Sequence, residues 1–469
     1  MQKRYTLGID SSTQGVKACI YDPAEDRVAA TASVNFGADL PQYGCPDGVL
    51  PNPDPLVKQS DPMMWLDALD MLFGRLNSAG APMSEIAAIG GDGQQHGSVY
   101  LNRNWREILP ALNPERTLAE QLATAFARPA APIWMDSSTG NECRELSARF
   151  GGRLQTDTGS PAIERFTGPQ IRRFWRTCPE EYANTTDIHL VSSFLCSVLI
   201  GGTAPIDRGD GAGMNLLNLH TNAWDPEIAE FTAPGLIKKL PPVRDGRAGN
   251  LHPYFAKYGL RPGIPVAVWT GDNPASLVGC GAEKPGCAVV SLGTSDTFFA
   301  AMDHFHTDPD GCGHVFGNPA GGCMCLTCFK NGSLARDRVR REIGVDWKFF
   351  DETAFDLTPP GNLGRQALPW FEPEITPPSK ELGIKANFDY AAAAPEVKIR
   401  AVVEGQIGNM REHTRWIGDF SEIRVTGGAS RSRGIREVLA DIFKAQVVPL
   451  EVTDSAALGG AKLAAKELE

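Results

Sequence analysis

The sequence predicts an α/β protein built from two related lobes, and three observations predict it. Apolar strand-like runs alternate with stretches of helical periodicity along the chain, the pattern that layers helices on sheets. A hairpin with a hydroxyl-rich tip occurs twice, once near the start and once past the middle. A strand that runs into a glycine turn also occurs twice, once in each half. The length agrees, because 469 residues exceed one ordinary core and correspond to two or three domains of roughly 100–200 residues.

In the first hairpin, Tyr5 to Ile9 read as an apolar strand, Asp10-Ser11-Ser12-Thr13-Gln14-Gly15 as the turn, and Val16 to Tyr21 as the returning strand. In the second, Cys287 to Leu292 lead into Gly293-Thr294-Ser295-Asp296, and Thr297 to Met302 return. Such tips let backbone N–H groups and hydroxyls face an anion. One tip alone only connects strands; two, each opening one half of the chain, point to a duplicated anion-binding element.

The strand-and-glycine pair comes next. Ile86 to Ile89 enter Gly90-Gly91-Asp92-Gly93-Gln94-Gln95-His96-Gly97, and Ile423 to Thr426 enter Gly427-Gly428-Ala429-Ser430. After the latter, Ile435, Val438, Leu439 and Ile442 recur at helical spacing, so a helix N-terminus is aimed at whatever the glycine turn holds. The stretch Phe36 to Pro55, rich in Pro, Gly and Asp, reads as a long loop, and Asn113 to Pro132 as a helical insertion with a proline-rich exit. The Pro/Gly-containing stretch before Ile264 puts the lobe boundary near residue 255, and Ala456 to Leu468 read as a final helix.

Composition narrows the function. Hydrophobic residues make up 42% and charged residues 22%, a globular balance. With 45 Lys plus Arg against 56 Asp plus Glu, the net charge is −11 and no basic run appears, which argues against a nucleic-acid or anionic-membrane partner. Met1 to Thr13 lack the apolar core of a signal peptide, and the most apolar region, Ile188 to Gly202, is broken by Ser192, Ser193 and Ser197. The expectation is a soluble protein of the cytoplasm. Eleven cysteines without a secretion signal argue for reduced thiols. Cys312, Cys323, Cys325 and Cys328 form one cluster in sequence, but the paired Cys-x-x-Cys elements of a zinc ribbon are absent, and Cys323 to Phe329 read as a buried strand.

The residue of most chemical interest is Asp272. Ile264 to Thr270 form a strand that ends in Gly271-Asp272-Asn273-Pro274 and passes into an apolar helix, so Asp272 stands where α/β proteins place reactive groups. On this fragment alone a helix N-cap is the competing reading, with Pro274 starting the helix.

Five motifs in one order decide between them: Gly8-Ile9-Asp10-Ser11-Ser12-Thr13, Gly93-Gln94-Gln95-His96-Gly97, Gly271-Asp272-Asn273, Ser291-Leu292-Gly293-Thr294-Ser295 and Thr426-Gly427-Gly428-Ala429-Ser430. Together they resemble the FGGY carbohydrate kinases over essentially the whole chain. Gly93 to Tyr100, Trp134 to Thr139, Glu164 to Gly168 and Phe329 to Leu334 resemble the longer, animal-type members that act on xylulose.

The resemblance implies a duplicated actin-like (ribonuclease-H-like) fold with a cleft between lobes. Residues 1–255 would be the sugar-binding lobe, and 256–469 the lobe carrying the nucleotide site and the catalytic Asp. It implies ATP-dependent phosphorylation of D-xylulose with Mg²⁺. Asp272 matches the family's catalytic base, with Asn273 beside it on the sugar. His96 and Arg165 match sugar-contacting positions, and Trp347 a residue at the adenine. Gly428, Ala429 and Ser432 match the nucleotide loop, although animal members carry an amide-bearing residue at the Ser432 position. Ser12, Thr13, Gly293 and Thr294, on the two hairpin tips, would hold phosphates, and Asp10 would organise Mg²⁺ through water. Taken singly, His96 reads as a turn histidine, Arg165 as a surface ion-pair residue and Trp347 as a core aromatic. A kinase for ribulose, L-xylulose or a polyol is the nearest rival. An actin-like filament subunit or chaperone would not require Gln95-His96 together with Asp272-Asn273. A monomer and a homodimer both stay open.

Overall fold

The computed structural model describes residues 4–451 and 454–468. Among these, residues 4–279, 316–322 and 454–468 form one compact unit, and 280–315 and 323–451 form another.

The sheet of the first unit is built outward from the first hairpin. Tyr5–Ser11 pairs antiparallel with Gly15–Asp22, which pairs antiparallel with Arg27–Asn35. On its other side Tyr5–Ser11 runs parallel to Ile86–Gly93, which lies parallel to Pro265–Ala267 and, at its far end, to Thr270–Gly271. The second unit repeats that order. Cys287–Leu292 pairs antiparallel with Asp296–Met302, and that strand antiparallel with Cys323–Phe329. On the other side lie Glu422–Thr426 and then Gln446–Pro449, both parallel. The two sheets therefore carry the same succession of directions, the duplication that the paired hairpins predict. The central strands are buried along almost their whole length because both faces are covered.

The helices form where capping and periodicity coincide. Asp61 accepts from Met63 N at 2.9 Å to open Pro62–Ser78, whose Met64, Trp65, Leu69, Leu72, Phe73 and Leu76 are buried. Ser432 opens Arg433–Phe443 in the same way by accepting from Ile435 N.

The division falls at Gly279/Cys280 rather than near residue 255, and the chain end returns to the first unit. The physical reason is close packing through small residues. The helix Ser455–Lys466 lies so near the strands Tyr5–Ser11 and Ile86–Gly93 that a Cβ on Gly8 would meet Ala457 O at 1.8 Å and one on Gly90 would meet Gly460 O at 2.2 Å. Thr6 Oγ1 donates to Ala461 O at 2.8 Å across the same contact. The helix Asp272–Gly279 packs against Ser455–Lys466 just as tightly, and a Cβ on Gly459 would meet Ala275 O at 1.9 Å. Asp272 thus belongs to the first unit, with its helix seated on the chain's last one.

The segment 36–55 is less of an excursion than its composition suggests. Phe36 is fully buried, its N–H donates to Gln14 O at 3.0 Å, and Gly48 passes so close to Thr13 that only a glycine fits. The segment buttresses the first hairpin tip. In 113–132 the helix is one short turn, Leu118–Leu122, opened by a Thr117/Glu120 capping box. Cys323–Phe329 is a strand in which Cys325 is buried and donates its thiol toward Ala300 O. Among the described residues the four cysteines do not gather into a ligand group. Nor is any described helix long and apolar enough to cross a membrane.

Candidate active site

In the first unit three strand ends bring carboxyls together. Asp10 ends Tyr5–Ser11, and its register partner on the neighbouring parallel strand is Asp92. Asp92 is in turn the partner of Thr270, two residues before Asp272. Asp10 is buried, and no N–H or hydroxyl donor among the described residues reaches its Oδ1. Burial raises the Asp10 carboxyl to about 6, against the opposing pull of hydrogen bonding with Asp92 and of Lys17. Asp92 is fully buried, and desolvation, then the charge of Asp10 and hydrogen bonding with it, with Asp272 and Asp210 beyond, pushes it well above the carboxylate range. Asp210 is likewise raised by burial; Ser192 Oγ donates to it at 2.5 Å.

Asp272 is the first residue of its helix and is half-buried. It does not cap the helix by reaching forward two or three residues. Instead its Oδ1 accepts from Asn273 N at 2.8 Å and from Asn273 Nδ2 at 3.0 Å. Asn273 Nδ2 also donates to Gln95 Oε1 at 2.9 Å, and the Gln95 side chain lies against Gly271, where a Cβ would meet it at 2.5 Å. Withdrawal from water, then the neighbouring Asp10, raises Asp272 to about 7 against these hydrogen bonds. A carboxylate at that value gains and loses a proton near neutrality, as a general base must.

His96 adopts a left-handed backbone with φ +68, which a residue with a side chain occupies only when its surroundings hold it there. Its Nδ1 lies 2.9 Å from Gly213 O, and Thr167 Oγ1 donates to its carbonyl at 3.0 Å. The ring stacks on Phe166 with centroids 4.3 Å apart, and the Arg165 guanidinium lies over the same Phe166 ring at 5.8 Å. The strand-to-turn passage 93–97 therefore supplies Gln95 to Asp272 and His96 to the Phe166–Arg165 stack. On the first hairpin tip, Ser12 Oγ donates to Gly15 O at 3.0 Å and Thr13 Oγ1 accepts from Trp134 Nε1 at 2.8 Å.

The second unit holds a separate cavity of about 600 Å³, within the ordinary range of small-molecule sites. Gly293 and Thr294 of the second hairpin tip line it, as do Leu334, Trp347, Phe350, Asp351, Gly428, Ala429 and Ile435. Gly427 has φ +89 and passes so close to Leu292 that a Cβ would meet Leu292 O at 2.5 Å, which holds the glycine turn against the hairpin strand. Trp347 is 46% exposed, and the Arg340 guanidinium lies over its ring at 4.8 Å. Ser432 does not line the cavity; it is buried and caps its helix.

Of the residues that the sequence singles out, Asp10, Asp272, Asn273 and His96 are thus gathered in the first unit, with Arg165 attached through Phe166. Gly293, Thr294, Trp347, Gly428 and Ala429 are gathered in the second. Sequence reasoning passed over Asp92, Asp210 and Asp351. For Asp92 a signal existed, since it stands within the quoted glycine-rich turn; nothing local marks Asp210 or Asp351.

The N-terminal domain of the FGGY family of carbohydrate kinases matches residues 128–279, and the C-terminal domain of that family matches residues 288–468. The chain is 40% identical to xylulose kinase of Mus musculus over 473 residues, covering 98% of this chain and 85% of that protein. It is 41% identical to xylulose kinase of Rattus norvegicus over 475 residues, with coverage of 98% and 87%. The fold superposes on the crystal structure of xylulose kinase from Bifidobacterium adolescentis with a TM-score of 0.82 at 23% identity, covering 100% of this chain and 93% of that one.

Proposed function

The chain belongs to the FGGY family of carbohydrate kinases, with their actin-like duplicated fold, and we propose that it phosphorylates D-xylulose with ATP, giving D-xylulose 5-phosphate and ADP. The observation that carries the chemistry is Asp272, a half-buried carboxylate at a strand end, raised toward neutrality and fixed by Asn273 and Gln95. The similarity to mouse and rat xylulose kinases over 98% of the chain supports the choice of sugar.

In this reading the first unit takes the sugar and the second the nucleotide. Asp272 accepts the proton of the sugar's terminal hydroxyl as its oxygen bonds to the γ-phosphorus; the bond to the bridging oxygen breaks, and ADP leaves with that electron pair. Asn273, His96 and Arg165 bind the remaining hydroxyls and oxygen of the sugar. Ser12 and Thr13 on the first unit's hairpin tip, like Gly293 and Thr294 on the second unit's, offer backbone N–H groups and hydroxyls suited to phosphate. Gly428 and Ala429 cradle the nucleoside, and Trp347 offers its ring to the adenine. Mg²⁺ suits the first hairpin, because Asp10 places a buried hard carboxyl oxygen at the strand end, out of reach of any N–H or hydroxyl donor among the described residues. When bound, the cation would neutralise charge on the phosphates.

A coupled ADP-release assay over a panel of pentuloses and polyols tests the proposal. D-xylulose should give the highest kcat/KM, and ADP release without sugar should be slow. Turnover about tenfold better on ribulose, L-xylulose or a polyol would reassign the substrate within the same chemistry.

A further inference from the structure

Ser432 stands in the nucleotide loop but is turned away from the cavity, so a different side chain must read the edge of the base. We infer that Asp351 is that residue, accepting a hydrogen bond from the exocyclic amino group of adenine; the inference rests on reading the second-unit cavity as the nucleotide site.

Three observations carry it. The helical stretch 347–356 contains a wide π turn at Phe349–Thr353, an irregularity that re-aims side chains and is frequent at functional sites. Trp347 and Asp351 lie about one turn apart on it, and both line the cavity. The same lining holds apolar Phe350, Leu334 and Ile435, surroundings suited to a flat ring. Ser432 itself is buried and absent from that lining, its oxygen being committed to the N–H of Ile435 at the start of its own helix.

The chemistry of the pair sets the preference. A carboxyl oxygen accepts, so it suits an amino group on the base and opposes a carbonyl at the same position. Adenine carries the amino group there and hypoxanthine the carbonyl. An amide in place of the carboxyl would both accept and donate, and would tolerate either base. Asp337 and Arg336 also line the cavity, but each is committed elsewhere: Asp337 to Arg340 and Arg341, and Arg336 to Asp296 at 2.7 Å.

Calorimetric titration of the full chain with ADP and with inosine diphosphate tests this, with melting temperature as the control for folding. The wild type should bind ADP about tenfold or more tightly than inosine diphosphate, the discrimination expected of a hydrogen bond to a charged group. Asp351→Ala should bring the ratio to within about threefold, weakening ADP and relieving the opposition to inosine diphosphate. Asp351→Asn, which keeps shape and folding, should hold ADP and gain inosine diphosphate. An unchanged ratio in both variants, or a wild type that does not discriminate, overturns the assignment. Trp347→Ala separates the two ideas: it should weaken both nucleotides alike, and if it weakens neither, the reading of the cavity as the nucleotide site fails.

Discussion

Asp10 and Asp92 occupy register-matched positions on adjacent parallel strands, and both carboxyls are buried beside each other. Asp92 is fully buried with the Asp10 carboxyl beside it, so its charged form is disfavoured in the folded protein. A carboxyl whose folded pKa is raised stabilises most below its unfolded value and loses that stability as pH rises through the folded value.

Asp92→Asn should therefore raise the melting temperature of the metal-free protein at pH about 8, by the equivalent of roughly 1–3 kcal/mol, and the advantage should vanish near pH 4. Melting scans across that range in a chelator check it. A variant less stable than wild type at high pH would show that the Asp92 carboxylate is satisfied in solution by a group that binds it.

Asp272→Ala should leave sugar binding weakened but detectable and lower turnover by about 10²–10⁴ or more, the range for a lost general base. Because burial raises Asp272 to about 7, the base form grows in as pH rises, and wild-type kcat/KM should climb to a plateau above about pH 7. Steady-state profiles for both proteins test this. Near-wild-type turnover in a folded Asp272→Ala would remove the residue from the mechanism.

His96→Ala and Arg165→Ala should raise the apparent KM for the sugar by about tenfold while moving that for ATP little. Both residues sit on the first unit around Phe166, and the nucleotide cavity belongs to the second. Equal losses for both substrates at preserved stability would count against assigning the stack to the sugar.

Gly459→Ala separates helix propensity from packing. Alanine is favoured over glycine inside a helix by about 1 kcal/mol. Here its Cβ would meet Ala275 O at 1.9 Å, and backbone cannot swing aside as a side chain can. Contact should win: stability should fall by about 1–3 kcal/mol or more, and turnover with it, since Ala275 belongs to the helix that begins at Asp272. Chemical denaturation and kcat measured together check the outcome. An unchanged variant would mean that the chain's last helix does not position the base.

The sequence by itself determined the α/β class, the duplication and most of the chemistry-bearing residues. Those signals are local: a hydroxyl-rich turn between two apolar strands, or Gly271-Asp272-Asn273 between strand and helix, is written in consecutive residues and read by period and composition. Tertiary structure alone decided where the chain divides and what holds the site. Gly8, Gly90 and Gly459 look like ordinary small residues until a helix from the far end of the chain is laid against them. Asp272 joins the first unit because its strand pairs beside Ile86–Gly93, a partner nearly 180 residues earlier. Ser432 reads from its place in a loop as a nucleotide contact, and only the structure shows that it caps its own helix and lies outside the cavity lining. Contacts between distant segments depend on side-chain directions and packing distances, which no local periodicity encodes.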